Sequence, residues 1–141
     1  MPITLIEHGS LDATATDRPL YYNSGRFVVL ESVSSAAIAS ALDGLALRQR
    51  TIANNIANIN TPNYRAKRVS FEAELAASVR GGDGHAAATI EASLEPTQLN
   101  GNNVNLDTET LSNIDTVLRY QFAARAANGQ FTSLRAAMRT N

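Results

Sequence analysis

Residues whose types could support catalysis or metal binding are sparse. The chain has two histidines, His8 and His85, both in loop-like surroundings, and neither belongs to a ligand-spaced cluster. Glu72 and Glu74 are two apart, so on a helix they point in different directions and make a poor acid/base pair. "RGGDGH" (80–85) is too short and too poor in acids for a calcium loop. No phosphate-binding glycine loop, dinucleotide fingerprint or nucleophile elbow is present. There are no cysteines, which excludes thiolate metal sites and disulfide staples. The residues therefore point away from an enzyme, with no cofactor, no metal and no small-molecule substrate.

Charge excludes further classes. The net charge is −1, and Lys67 is the single lysine among twelve basic residues. No basic field is available for nucleic acid. Four arginines, Arg119, Arg125, Arg135 and Arg139, lie toward the C-terminus. There they offset a helix dipole and cover apolar surface, or reach acidic groups on a neighbour. Hydrophobic residues make up 44% and aromatics only 6%, and much of the apolar share is alanine, so the core per residue is thin. No stretch reaches the ~20 apolar residues of a membrane span. The first residues carry no basic region followed by a long apolar run, so no cleaved secretory signal is expected.

The elements that carry the remaining polar residues are long helices. The spacing predicts a first helix from about Ser32 to Ile59, with an apolar stripe Ile38, Leu42, Leu45, Ile52, Ile56, Ile59 at heptad steps and Gln49 filling the gap. Gly44 is a mild penalty inside it. Pro62 stops it. Its end, "ANNIANINTPNYR" (53–65), is unusually rich in amides. On a wheel at ~100° per residue, Asn54 and Asn58 fall on the face away from the isoleucines, the small Ala53 and Ala57 fill the space between, and Asn55 flanks the stripe. Neutral amides beside small residues suit a second, closely packed helix contact, because burying them avoids desolvating a charge. Asn60, Thr61, Pro62 and Tyr64 read as the turn that follows.

A second helix is expected from Asp107, as N-cap, to about Arg139, with Leu106 and Leu111 as a hydrophobic staple and Glu109 in the first turn. It has two apolar stripes: Leu111, Ile114, Leu118, Phe122, and Val117, Tyr120, Ala124, Ala127, Phe131, Leu134, Met138. A helix that is apolar on more than one side needs more than one neighbour. The organisation expected is a flexible arm over 1–31 with a short β-like run Arg26–Leu30, a helix and motif over 32–61, a loop-rich middle over 62–106, and a helix over 107–141. In the middle, a short helix capped by Ser70 spans 70–79, "RGGDGH" is a flexible break, and a short strand covers Ala88–Ala92. The fold class is mainly α, with the two terminal helices packed as an antiparallel coiled-coil-like pair.

"ALDGLALRQRTIANNIANINTPNYRAKRVSFEAEL" (41–75) resembles the N-terminal signature of the bacterial flagellar rod, hook and hook–filament junction proteins. Its elements are Ala53, Asn54, Asn55, Ile56, Ala57, Asn58, then Asn60, Thr61, Pro62, Asn63, Tyr64. "GNNVNLDTETLSNIDTVLRYQFAARAANGQFTSLRAAMR" (101–139) resembles the C-terminal end of the proximal-rod type, through Gly101 to Asp107, Leu118–Arg119–Tyr120, Asn128–Gly129, Phe131 and Leu134–Arg135. The short chain, without a large central insertion, argues against hook and distal-rod members.

The resemblance implies a structural subunit of the flagellar basal body, made in the cytoplasm, exported by the flagellar type III apparatus and assembled in the periplasmic or cell-wall space. It implies as partners other rod proteins, further copies, FliE, and the membrane ring and export gate. It puts the assembly interface at Ile38, Leu42, Leu45, Ile52, Asn54, Asn55, Ile56, Asn58, Ile59, Leu118, Tyr120, Phe131, Leu134 and Met138. Another rod protein such as FlgC, or a cytoplasmic helical adaptor or export chaperone, remains an alternative. One departure is the first 30 or so residues, because in the family the first helix lies near the start of the chain. A lineage-specific arm, a cloning extension, or translation truly beginning at Val28 or Val29 each fits.

Overall fold

The computed structural model describes residues 24–139, and side chains from Val33 onward except those of Leu134 and Ala137. The elements run α1 (Ser24–Ala57), β1 (Lys67–Ser70), α2 (Glu72–Gly81), β2 (Thr89–Ala92) and α3 (Leu106–Met138). The two long helices are antiparallel. Asn55 meets Glu109 and Ser35 meets Gln130, so nearly equal lengths of helix separate the two contacts on either side. At 1.5 Å per residue each helix is about 50 Å long.

α1 starts earlier than its apolar spacing predicts. Arg26–Leu30 is helical, not β-like. Its β-branched pair Val28–Val29 is outvoted by the helix it joins. Residues 1–23 of the expected arm lie outside the described residues. At the other end the helix closes at Ala57, and Asn58 to Asn60 form turns before Pro62. Asn63 takes the left-handed conformation at φ 60, one that asparagine tolerates.

The middle segment is more ordered than its composition suggests. β1 and β2 form an antiparallel ribbon with Val69 opposite Ile90 and Ser70 opposite Thr89. Only Val69 of the ribbon is buried. Ser70 ends β1 and does not cap α2; Phe71 holds the N-cap position without a side-chain hydrogen bond. Ser70 Oγ instead lies 3.0 Å from Thr89 Oγ1 across the ribbon. Gly82 closes α2 in the left-handed region.

"RGGDGH" is not an open break. Gly84, at φ +77, sits so close to α1 that an added Cβ would lie 2.4 Å from Val33 O. Ser40 Oγ donates to Gly84 O and accepts from Ala86 N, which fixes this loop to α1.

The core is small, as the alanine-rich composition predicts. Leu45, Val69 and Phe71 form it, with Ala41, Leu47, Leu75, Ala88 and Ala123 against it. The Phe71 ring lies on Gly44 and under the Arg48 guanidinium, 4.9 Å from the ring centroid. Gly44 is therefore the notch that admits the ring, and this explains a glycine inside a long helix.

α3 is capped by Asn105, whose side chain accepts from Asp107 N and Thr108 N. Asp107 is thus inside the helix and does not cap it. The staple does not form either: Leu106 and Leu111 are both exposed.

Candidate assembly site

The C-terminal end of α1 and the N-terminal end of α3 are joined by three asparagines that are completely or almost completely buried: Asn55, Asn102 and Asn103. Each amide uses both its oxygen and its nitrogen. Asn55 Nδ2 donates to Lys67 O (2.8 Å) and Glu109 Oε1 (2.9 Å). Its Oδ1 accepts from Lys67 N (3.0 Å) and Tyr64 Oη (3.3 Å). Asn102 Nδ2 reaches Asn58 O, Ile59 O and Thr61 O in the turn that follows α1, where Asn58 O and Thr61 O also accept from Thr61 N and Tyr64 N. Its Oδ1 accepts from Val104 N at 2.7 Å. Asn103 Oδ1 accepts from Ala66 N at 2.7 Å, and its Nδ2 donates to Ser93 O and Glu95 O. Gly101 at φ +77 completes the turn, where any Cβ would collide with Asn63 Oδ1.

Asn55 was expected to face a neighbouring helix. It is consumed inside its own chain, by the first residue of β1 and the first turn of α3. Asn102 and Asn103 look like loop formers in the sequence. Their role is invisible there because an amide that caps a distant carbonyl has the same spelling as one that forms a local turn. The available signal was their place in the C-terminal motif, directly before the α3 cap.

Glu109 is the carboxylate of this network, and it is 8% exposed. Burial pushes its carboxyl above the usual carboxylate range, against the opposing pull of the Asn55 amide and the Arg68 charge; Glu95 adds to the upward push. Glu72 moves the other way. Its partial burial raises it, but the hydrogen bond and charge of Arg48, 2.6 Å away, together with backbone N–H groups, bring it below its ordinary value.

The signs of the two stability contributions are opposite. Glu109 binds its proton more tightly when folded, so it costs stability at neutral pH and returns it as pH falls through its raised folded pKa. Glu72 contributes stability above the ordinary carboxylate pKa, lost as pH falls through its lowered one. The urea midpoint of Glu109→Gln is expected to match or exceed wild type at pH 7, with the advantage shrinking in the acid range. Glu72→Gln is expected to lower the midpoint at pH 7 and to match wild type at the acid end. Midpoints at a series of pH values check both.

The α1–α3 seam is made mainly of small and polar residues. Taking Thr116 as reference at ~100° per residue, Glu109 and Ala123 fall within about 20° and Gln130 within about 40°. Thr116 and Glu109 are buried, Ala123 packs on the core, and Gln130 Oε1 accepts from Ser35 Oγ. The stripe Leu111, Ile114, Leu118, Phe122 is about 120–160° away. It is exposed at 69, 54, 61 and 76%. Four large apolar side chains on one helix face are therefore left mostly exposed among the described residues. The second stripe flanks the seam: Val117, Ala124 and Ala127 are half-buried, and Tyr120, Phe131 and Met138 are exposed. The side chain of Leu134 lies outside the description.

On α1 the expected stripe is largely spent inside the chain. Leu45 and Ile52 are buried, and Ile38, Leu42, Ile56 and Ile59 are half-buried. The amide face does stay available: Ala53, Asn54 and Ala57 are exposed, and Asn58 is half-buried, donating from Nδ2 to Asn54 O. A hollow of about 380 Å³ lies there, lined in part by Asn54, Asn58, Tyr64 and Ile90. Asn60, Thr61 and Pro62 are exposed, and Tyr64 is half-buried. A larger apolar groove of about 570 Å³ runs between α1, α2 and α3 and includes Ile38, Leu75, Leu118 and Phe122. No described helix is long and apolar enough to cross a membrane. No metal-binding cluster of His, Asp or Glu occurs among the described residues.

Residues 37–65 match the family model described as "Flagella basal body rod protein". The chain is 36% identical over 112 residues to the flagellar basal body rod protein FlgB of Bacillus subtilis (strain 168), covering 70% of this chain and 87% of that one. The chain belongs to the FlgB family of flagellar basal-body rod proteins. FlgB of Escherichia coli (strain K12) is 31% identical over 116 residues, covering 67% of this chain and 84% of that protein. FlgB of Borreliella burgdorferi is 29% identical over a similar span. Members of the FlgB family are structural rod proteins and not enzymes, in accord with the absence of catalytic spacing in the sequence. The matched segment 37–65 contains Asn55 and the turn that Asn102 caps, so the family's N-terminal motif forms one half of the amide network.

Proposed function

We propose that this chain is a structural subunit of the proximal rod, exported by the flagellar type III apparatus and built into the rod wall through its two long helices. The observation that carries this reading is the outward stripe Leu111, Ile114, Leu118, Phe122, which is too large and too regular to be left in water. A neighbouring helix laid along it, with coiled-coil-like packing, is the natural cover. The small-residue and amide face of α1 offers a second, closer contact, and Tyr120, Phe131 and Met138 extend the surface toward the end of α3. Ile38, Leu42, Ile56 and Ile59, half-buried in the single chain, complete the interface. The neighbours in this reading are further copies, other rod proteins, FliE, and the membrane ring and export gate, in the periplasmic or cell-wall space.

The test is to isolate basal bodies from cells expressing a tagged chain. The expected result is tagged protein at the base of the rod, resistant to washing. Recovery of the tagged chain solely as a cytoplasmic complex would overturn the reading and favour an adaptor or export chaperone.

A further inference from the structure

The amide network touches two segments far apart in sequence, and each of its asparagines caps a different backbone N–H. Asn55 accepts from Lys67 N, Asn103 from Ala66 N, and Asn102 from Val104 N. The bonds also cross over. Asn102 and Asn103, which precede α3, hold the end of α1 and the strand entry; Asn55, on α1, holds Glu109 of α3. Backbone pairs run alongside: Asn63 N donates to Asn100 O and Asn103 N to Tyr64 O. Little apolar packing backs this end of the molecule, with Ile52, Ala66 and Val104 its buried hydrophobic side chains beyond the Leu45–Val69–Phe71 core.

We propose that Asn55, Asn102, Asn103 and Glu109 form a latch that opens and closes as one unit, joining the turn after α1 to the start of α3. The physical reason is mutual dependence. A buried amide stripped of one partner carries the desolvation cost of that group, so opening one contact weakens the others. Neither half is complete by itself: Ile59 O, in the turn after α1, accepts from Asn102, and Ala66 N donates to Asn103. The end of α1 therefore takes its final form only when residues 102–109 are present, and the two motifs, though about 40 residues apart, are one structural device. Local opening of such a unit is distinct from global unfolding, because the core around Phe71 and the Gly84 loop hold α1 elsewhere. The latch belongs to the single chain and does not depend on rod assembly.

Amide hydrogen exchange on the full-length chain at neutral pH tests this. In the wild type, the N–H groups of Ala66, Lys67 and Val104 are expected to show the same opening equilibrium. Asn102→Ala directly removes the bonds to Val104 N and to three carbonyls of the turn after α1, yet it is expected to speed exchange at Ala66 and Lys67 as well, by about tenfold or more. Amides near Leu45 are expected to keep wild-type protection. Tyr64→Phe is the milder variant, removing only the 3.3 Å bond to Asn55 at the rim of the network. It is expected to raise exchange at Val104 by the same factor as at Lys67. An effect of Tyr64→Phe confined to Lys67 would overturn the latch, as would an equal loss of protection at Leu45 in this mild variant. If Asn102→Ala fails to fold, Tyr64→Phe decides alone.

Discussion

A chain carrying Leu118→Asp and Phe122→Asp is expected to fold like the wild type and to be missing from isolated basal bodies, leaving cells non-motile. Both side chains are more than half exposed. Replacing them removes little that the single chain uses, so the thermal midpoint should move by only a few degrees. In the proposed interface the same positions are closed. Burying one leucine or phenylalanine contributes about 1.5–3 kcal/mol. Two lost contacts weaken docking by about 3–6 kcal/mol, roughly 10²–10⁴-fold at 1.4 kcal/mol per tenfold. Two carboxylates trapped in an apolar seam add a further penalty. Circular dichroism melts, immunoblots of purified basal bodies and swimming in soft agar give the three readouts. A rod of normal composition containing the double variant would remove the α3 stripe from the interface.

Leu45→Asp would not serve this purpose, although Leu45 stands in the apolar repeat that the sequence marks as an interface. Leu45 is 3% exposed and sits in the chain's own core against Phe71. A charge there unfolds the subunit before assembly is tested. Here lies the limit of periodicity. It identifies an apolar stripe, but it does not say whether the stripe faces the same chain or another. For α1 the answer is mostly the same chain; Leu111 to Phe122 stay exposed among the described residues, which is why the proposed interface is placed there.

The long helices, their rough extents and the small strand near Ala88–Ala92 could be read from spacing and from Pro62. What could not be read depends on distant partners. Asp107 is a good cap by type, but Asn105 takes the role because Asn102 and Asn103 fix the chain just ahead of it. Ser70 would cap a helix if it were not already paired to Thr89 in the ribbon. "RGGDGH" has the composition of a loose break, yet Gly84 is there because nothing larger fits against α1. In each case local propensity was a weak prior that a tertiary contact overrode.

Gly44 is the sharpest instance, and it supports a prediction whose sign depends on its background. Glycine inside a helix costs about 1 kcal/mol relative to alanine, so Gly44→Ala ought to stabilise α1. In this fold the new Cβ would fall 2.7–2.9 Å from the Phe71 ring. The ring is held from the Arg48 side. Arg48 lies over it, and Arg48 is itself held by Val69 O at 3.0 Å and by Glu72 at 2.6 Å. Overpacking of this kind costs about 1–3 kcal/mol. Gly44→Ala is therefore expected to be net destabilising in the wild type. Phe71→Ala alone removes the largest side chain of a small core and is expected to cost about 3–5 kcal/mol. In that background Gly44→Ala meets no ring, fills part of the hole and gains helix propensity, so it should stabilise by about 1 kcal/mol. Urea unfolding of the wild type, both single variants and the double variant completes the cycle. Additive effects, with alanine at 44 either harmful or helpful in both backgrounds, would show that the glycine is not kept for the ring. Where Phe71→Ala is too unstable to measure, Phe71→Leu is expected to relieve most of the clash and leave the same reversal, at a smaller size.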